Sequence, residues 1–262
     1  MVGVGDAAVV LAGGRSSRMG TAKADLDWHG STLLYRTAAV LTRAVSGPVV
    51  VVRAPGQTLP PLPPGVGIVA DPVAGRGPMQ GVAAGLAAVE QQAERAFVCS
   101  TDLPFLHPAF VRRVLSWLDD PAIELVFPVA RGYRQPLAAG YRTRLAGLLA
   151  DLIACGELRP GMLLTHCATA LPDETELLAG DELAEADPRL DSVINVNTPE
   201  DYATALALLG PTVLVNGRPT RAATLAEAGV ISSTSVVLNG VETPADPRLP
   251  LVAGDSVELR PG

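Results

Sequence analysis

Short apolar segments alternate with longer helical segments along most of the chain, and this alternation constrains the fold more than any other feature. Residues 32–45 repeat apolar side chains at helical spacing, and residues 78–92 and 108–118 each open on a proline, which the first turn of a helix favours. Strands of about five residues between helices of about ten or more are typical of parallel sheets. We therefore expect an α/β fold with a Rossmann-like, mostly parallel sheet. The apolar segments cover residues 7–11, 48–52, 66–70, 96–100 and 125–129.

Beyond residue 130 the same pattern continues less regularly. Residues 135–141 are predicted as a further strand, 143–154 as a helix and 193–196 as a short strand. Thr198 can cap a helix that opens on Pro199, with acidic residues in its first turn.

The character of the sequence changes at Gly210, where short strands and tight turns replace the long helices. Residues 212–217 and 236–240 are apolar runs that each end in Asn-Gly, a strong hairpin signal. Only residues 224–228 have a helical pattern in this part. We therefore predict two domains, residues 1–209 and residues 210–262.

The composition of the chain argues against several classes of binding partner. The chain carries 27 acidic against 20 basic residues, a net charge of -7, which argues against a general nucleic-acid binder. No apolar stretch approaches the ~20 residues of a membrane span, and the three cysteines have no metal-binding or disulfide spacing. The sequence predicts a cytoplasmic protein with reduced thiols and neither a nucleic-acid nor a membrane partner.

A glycine-rich segment follows the first predicted strand and is the main candidate for an anion site. Gly13 and Gly14 allow close backbone approach to a phosphate, while Arg15, Arg18 and Lys23 supply positive charge. Lys23 is the only lysine among the 20 basic residues, and its compact ammonium suits one phosphate group. The spacing matches neither a P-loop nor a dinucleotide fingerprint, and a solvated surface turn is the alternative interpretation.

Four further polar residues lie at or just after the ends of predicted strands, where α/β sheets bind their ligands. Asp102 offers a carboxylate suited to Mg²⁺ bound together with phosphate oxygens, or it caps a turn. Asp71 precedes a glycine-rich helix start that includes Gly81, which either allows close backbone approach to a ligand or is simply a flexible loop. Asn195 and Asn197 could complete a metal or ribose site, or cap the helix after Thr198.

The glycine-rich segment, the cationic side chains and the candidate metal ligands favour phosphoryl or nucleotidyl transfer. In such reactions, positioning and charge neutralisation account for most of the catalysis. No serine lies in a nucleophile elbow, and the histidines and cysteines form no obvious triad, so covalent catalysis is not indicated.

Together, the motifs resemble those of the molybdenum cofactor guanylyltransferases, within the wider nucleotidyltransferase superfamily, over roughly residues 7–208. The resemblance implies that GTP and a molybdopterin-type acceptor react, with Mg²⁺ as cofactor, to give a guanine dinucleotide cofactor and pyrophosphate. The matching segments are residues 11–20 with Lys23, 77–81, 100–104, 134–137 and 195–201.

The same resemblance implies roles for individual residues. The catalytic residues would be Lys23, Arg18 and Asp102, with Lys23 and Arg18 on the phosphates. Mg²⁺ would be held by Asp102 and Asn197. Arg134 and Gln135 would lie on the acceptor side. The nucleotide-binding residues would be Leu11, Ala12, Gly13, Gly14, Arg15, Lys23, Asp71, Gly81 and Asp102.

Two departures from the family pattern leave alternatives open. Ala22 stands where the family usually has an aspartate, and Arg53 follows the second strand where an asparagine often contacts the nucleotide. The alternatives are a cytidylyltransferase or another NTP transferase of the same fold, and a non-catalytic scaffold protein of cofactor biosynthesis.

The C-terminal part resembles the β-grasp sulfur carriers of thiamin and molybdopterin synthesis at residues 215–217, 237–240 and 251–259. Such carriers end in Gly-Gly, whereas this sequence ends in the single Gly262. We therefore favour an interaction or stabilising role over a working carrier, with other proteins of molybdenum cofactor biosynthesis as partners.

Overall fold

A computed structural model describes residues 5–13, 22–73, 76–230 and 234–261. None of the helices in these ranges is long and apolar enough to cross a membrane. The α-helices are α1 Leu33–Ala44, α2 Pro78–Val89, α3 Pro108–Ser116, α4 Leu145–Ala154, α5 Glu174–Leu178, α6 Asp181–Ala186 and α7 Pro199–Leu206. The strands are β1 Ala7–Leu11, β2 Asp27–Trp28, β3 Ser31–Thr32, β4 Val49–Arg53, β5 Gly67–Ala70, β6 Arg95–Ser100, β7 Leu125–Val126, β8 Val129–Ala130, β9 Tyr133–Arg134, β10 Ala138–Arg142, β11 Thr169–Ala170, β12 Thr212–Val215, β13 Arg218–Arg221, β14 Thr234–Leu238, β15 Val241–Thr243 and β16 Ser256–Pro261.

Seven strands form the large sheet, in the order β11-β7-β10-β6-β1-β4-β5. Strands β5, β4, β1 and β6 run parallel, as do β7 and β11. Among the described strands of this sheet, β10 alone runs antiparallel to its neighbours, β6 and β7. The expectation of a mostly parallel α/β sheet is therefore confirmed. From β1 the chain first builds outward on one side, through β4 and β5, and then crosses back to place β6 on the other side of β1. The strand order therefore reverses between β1 and β6. Ligands of such sheets bind at this point, beyond the carboxyl ends of the strands.

Three predicted strands differ from the structure. The strand predicted over residues 135–141 begins only at Ala138, as β10. Residues 193–196 form no strand, because the backbone N–H of Val196 donates to the carbonyl of Asp102 (3.0 Å) rather than to a neighbouring strand. The segment 125–129 is divided into β7 and β8, since Pro128 lies between them and has no N–H for a ladder bond.

The large sheet separates two hydrophobic cores, and β1 contributes to both. Ala8 and Val10 face the core beneath α1 and α3, whereas Val9 and Leu11 face the core beneath α2 and α4. All five residues of β1 are buried, as the alternating directions of its side chains require when helices cover both faces.

Helix α2 packs unusually close to β1 because it presents glycine there. A Cβ atom on Gly85 would lie 2.3 Å from Val9 Cγ1, and one on Gly81 would lie 3.1 Å from Leu11 Cδ2. These two glycines are four residues apart, so both lie on the helix face that contacts the strand.

A second sheet contains strands β12 to β16 in the order β13-β12-β16-β14-β15, with β12 and β16 parallel at its centre. Both Asn-Gly turns form as predicted, with Asn216 and Asn239 at positive φ of 48° and 52°. The helical pattern of residues 224–228 yields no helix but one hydrogen-bonded turn, in which Ala228 N donates to Thr224 O and which ends at Gly229. The resemblance of this unit to β-grasp carriers, and a boundary at residue 210, stay predictions.

Helix α1 carries the contact between the two sheets. Arg43 pairs with Asp255 and donates to the carbonyl of Pro250, while Tyr35, two turns earlier on the same face, donates to Asp246 (2.7 Å). Val252, from the second unit, packs into the core beneath α1 and α3. The second unit is therefore held by buried apolar contact as well as by polar pairs.

Candidate active site

Three side chains from distant parts of the sequence meet beyond the carboxyl ends of β1 and β6. Lys23 Nζ donates to Asp102 Oδ2 at 2.7 Å and to Asn197 Oδ1 at 2.8 Å. The Lys23 and Asp102 side chains are 21% and 14% exposed, so the pair is shielded but reachable from solvent. All three residues belong to the predicted catalytic or metal set, and the structure brings them together.

The side chains of Ser100 and Thr101 fix the position of Asp102 directly after β6. Ser100 Oγ donates to Asp102 Oδ1, which leaves Oδ2 for Lys23. Thr101 is buried and donates from Oγ1 to the carbonyl of Leu11 at 3.0 Å, tying this loop to the end of β1. The carboxylate therefore has its orientation set by its neighbours before any ligand arrives.

Asn197 is available to Lys23 because other residues cap α7. Thr198 accepts from the N–H of Asp201, and the Asp201 carboxylate accepts from the N–H groups of Thr198 and Asn197, forming a capping box. These N–H donors lower the pKa of Asp201 below its usual value. Thr198 and Asp201 therefore cap the helix, so the side chains of the two asparagines are not needed for capping. Asn195 bonds locally to the carbonyl of Val193.

A short hairpin connects Lys23 to both α7 and the second unit. Lys23 opens a turn of 3₁₀ helix that leads into β2 and β3. The Tyr202 hydroxyl, on α7, donates to the carbonyl of Asp27, and His29, at the tip of the hairpin, lies 3.0 Å from Glu227 Oε1. Hydrogen bonds therefore attach the base of the hairpin to α7 and its tip to the second unit.

The end of β1 is held by a residue that the sequence analysis missed. Gln57 donates from Nε2 to the carbonyl of Ala12 (3.0 Å), and its Oε1 accepts from the N–H of Ala54 (2.9 Å). The N–H groups of Ala12 and Gly13 both donate to Val52 O. Gln57 lies in a proline-rich segment between β4 and β5, and no local sequence signal marks it.

Asp71 lies at the surface, whereas Gly81 lies in the interior. Asp71 follows β5, two strands from β1, where its Oδ1 accepts from the N–H of Val73 (3.0 Å) and it remains half-buried. Gly81 faces Leu11 in the interior, so its lack of a side chain serves the packing of α2. The structure does not bring Asp71 into contact with Lys23 or Asp102.

Gln135 and Arg134 lie at the β8–β9 hairpin. The Gln135 side chain donates from Nε2 to the carbonyls of Ala130 (3.0 Å) and Tyr133 (3.4 Å), so it braces the hairpin. Arg134 and Tyr133 are exposed beside it. The predicted residues Gly14, Arg15 and Arg18 lie outside the described residues.

Comparisons with known proteins agree with this architecture. The family model of the MobA-like NTP transferase domain matches residues 8–168, more than half of the chain. A protein of Mycobacterium tuberculosis named as a probable molybdenum cofactor guanylyltransferase is 38% identical over 161 residues, which cover 60% of this chain and 78% of that protein. One of the same name from Chloroflexus aggregans is 35% identical over 210 residues, 78% of this chain and 95% of that protein.

Solved structures show the same fold. The crystal structure of molybdopterin-guanine dinucleotide biosynthesis protein A from Archaeoglobus fulgidus superposes with a TM-score of 0.60 at 21% identity, covering 76% of this chain and 96% of that one. The domain match, the relatives and the sheet that gathers Lys23 and Asp102 at its switch point lead to one assignment. The chain is a nucleotidyltransferase and belongs to the MobA-like NTP transferase family.

Proposed function

We propose that this protein transfers the guanylyl group of GTP to the terminal phosphate of a molybdopterin-type acceptor, with Mg²⁺ as cofactor. The observation that carries the proposal is the contact of Lys23 with Asp102 and Asn197 at the switch point of the sheet. The names of the two relatives, of which this chain covers 78% and 95%, support GTP and the acceptor as substrates.

The residues present fit a divalent cation of the kind that nucleotidyltransferases usually use. Asp102 Oδ2 and Asn197 Oδ1 converge on one cationic atom, the Lys23 ammonium nitrogen, so positive charge is already favoured there. One carboxylate and one amide oxygen leave most coordination positions to water and phosphate, as Mg²⁺ prefers. When held by Asp102 and Asn197, Mg²⁺ would neutralise charge on the phosphates.

In this reaction an oxygen of the acceptor phosphate attacks the α-phosphorus of GTP. The new P–O bond forms as the bond to the β-phosphate breaks, and pyrophosphate leaves with the electron pair. Lys23 would hold the phosphates and offset the charge that develops on them, while Asp102 and Asn197 keep its ammonium and the cation in place. The Gln135 brace would position the hairpin that carries Arg134 on the acceptor side.

The decisive experiment measures pyrophosphate release by the full chain with GTP, loaded molybdopterin acceptor and Mg²⁺. We expect turnover that needs all three components and that falls when EDTA removes the metal. Turnover with CTP in place of GTP would move the protein to the cytidylyltransferases. Nucleotide binding without turnover, in the presence of a validated acceptor, would favour the scaffold alternative that Ala22 and Arg53 raise.

For the second unit we propose a role in stabilisation or in docking other proteins of molybdenum cofactor biosynthesis. The parallel pairing of its first and last strands at the centre of a five-stranded sheet supports the β-grasp resemblance. The test is co-purification of these proteins with the full chain and with a variant in which Arg218 and Arg221, exposed on the edge strand β13, are replaced by alanine.

A further inference from the structure

A cavity of about 610 Å³ lies between the two units. The nucleotidyltransferase unit lines it with the β2–β3 hairpin, the loop after Asp102 and the segment 186–191, and the second unit lines it with residues 251–253. Lys23, Asp102 and Asn197 are not among the lining residues, so the cavity is separate from the candidate active site. Its volume lies in the range that small organic ligands occupy.

Much of the cavity wall is apolar. Trp28 and Phe105 meet edge to face there, with their ring centroids 5.6 Å apart. Leu208 and Leu209, which follow α7, also line the cavity and are 52% and 76% exposed. A ligand with an apolar body would cover this surface, and the removal of apolar area from water would favour its binding.

Arg36, in the first turn of α1, puts a buried positive charge in this wall, since the residue is only 6% exposed. Its partners are the carbonyls of Pro104 and Leu106, and no carboxylate of the described residues forms an ion pair with it. Burial lowers the pKa of Arg36 to about 10, so the side chain stays charged at neutral pH. A buried charge without an ionic partner is unfavourable, and a bound anion would relieve that cost.

The hydrogen bonds of Arg36 leave one edge of the guanidinium unused. Nε and Nη2 donate to the two carbonyls, so the remaining N–H groups lie on Nη1 and on the side of Nη2 that faces it. Two parallel N–H groups of this kind match the two oxygens of a carboxylate. Among the described residues, the side-chain polar atoms that are fully buried without a partner are Ser31 Oγ and Trp117 Nε1. Nη1 has no partner and is not one of them, so solvent reaches it.

The acidic residues of the wall already have partners. Asp187 accepts from the N–H groups of Asp191 (2.7 Å) and Ser192 (2.9 Å), and Asp191 pairs with Arg189 at 2.7 Å. These carboxylates remain negative neighbours of any bound anion. They therefore disfavour a doubly charged phosphate and leave a singly charged carboxylate as the better match for the buried guanidinium.

We propose that the cavity between the two units binds a small organic carboxylate with an apolar body, and that Arg36 is the counter-ion of this ligand. The body lies against Trp28, Phe105 and the two leucines after α7. The proposal does not rest on the proposed function, because the ligand occupies a site apart from the nucleotide. Since both units line the cavity, the ligand should also raise the midpoint of thermal unfolding.

The test is isothermal titration calorimetry of the full chain with two matched pairs of probes. These are 2-naphthoate with 2-naphthamide and octanoate with octanamide, which share a body and differ in charge. We expect at least one carboxylate to bind once per chain, at least about tenfold more tightly than its amide, as a charged hydrogen-bonded pair allows. Inorganic phosphate, an anion without a body, should bind more weakly. If neither carboxylate binds, or if the amides and phosphate bind as tightly, the proposal is wrong.

Two variants locate the ligand in the cavity. Arg36→Met should abolish the preference for the carboxylate, and thermal unfolding shows whether its fold is intact. Ala207→Phe leaves Arg36 unchanged and places a ring in the wall from an exposed position, so it should block binding even if Arg36→Met does not fold. Ala203→Phe is the matched control, because Ala203 is exposed on α7 but does not line the cavity. Equal affinities in Ala207→Phe and Ala203→Phe would put the ligand elsewhere and overturn the proposal.

Discussion

Lys23 Nζ lies 2.8 Å from the amide oxygen of Asn197, although 174 positions separate the two residues along the chain. The contact joins the segment after β1 to the residue that precedes α7, and Asp102 completes it from the end of β6. A substitution at any of the three residues therefore tests the same site from a different element.

We expect Lys23→Ala to lower pyrophosphate release at least about 100-fold, the usual cost of removing a group that stabilises transition-state charge. Lys23→Arg should restore little, because a planar guanidinium does not occupy the position of a compact ammonium. Arg144→Ala removes an exposed arginine paired with Glu124, and it should retain full activity. Near-normal rates in both Lys23 variants would contradict the role given to this residue.

The cation site is tested with Mn²⁺, whose binding electron paramagnetic resonance reports directly. We expect Asp102→Asn to lose most of the Mn²⁺ affinity measured with GTP present, because a charged oxygen ligand becomes a neutral one. Ser100→Ala should have an intermediate effect, about ten- to a hundredfold, since Ser100 only orients the Asp102 carboxylate. An unchanged affinity in Asp102→Asn would remove this carboxylate from the cation site.

Gly85→Ala should destabilise the protein although it adds a single methyl group. The new Cβ would meet Val9 Cγ1 at 2.3 Å in the interior, so α2 or β1 must shift. We expect the free energy of unfolding to fall by about 1–3 kcal/mol, the range for overpacking a core. Gly147→Ala is the matched control, since a Cβ there meets nothing within 4 Å. Urea unfolding followed by circular dichroism measures both variants.

Acidification should weaken the contact between the two units through His107. Burial lowers the pKa of His107 below its usual value, and its Nδ1 accepts from the N–H of Ala109 while Nε2 faces Ala253 O at 3.0 Å. The folded state therefore binds the extra proton less readily than the unfolded chain. This contribution to stability is complete above the unfolded pKa, near 6.5, and is lost progressively as the pH falls below it.

The measurement is thermal unfolding between pH 7.5 and 5.0. In His107→Asn, where Asn can still cap α3, the decline in midpoint over this range should be shallower than in the wild type. Equal slopes would show that other groups set the acid sensitivity.

Local patterns were sufficient to predict much of the fold and part of the site. The apolar run of β1, the polar residues at the strand ends and the capping residues of α7 are all features of a few consecutive residues. Such features also pointed to Lys23 and Asp102, because a lone lysine and a carboxylate after a buried strand are chemically unusual where they stand.

The remainder depends on which segments meet in three dimensions. Residues 193–196 have the composition of a strand, but the N–H of Val196 bonds to the Asp102 loop. Gln57 lies in a segment without regular structure, and its contact with the carbonyl of Ala12, 45 positions away, exists only in the folded chain. Gln135 bonds to carbonyls within its own hairpin, and only the family resemblance drew attention to it. Gln135 also precedes β10, which runs antiparallel, so a search for polar residues that follow the parallel strands would not identify it.

The Gln57 bridge has a consequence for the thermodynamics of binding. Loops that close over a ligand lose conformational entropy at the moment of association, and that loss weakens the affinity. Here the loops after β1 and β4 are already joined to each other by Gln57, so their ordering is part of the folding free energy. A ligand that enters between them meets a surface whose shape is set in advance.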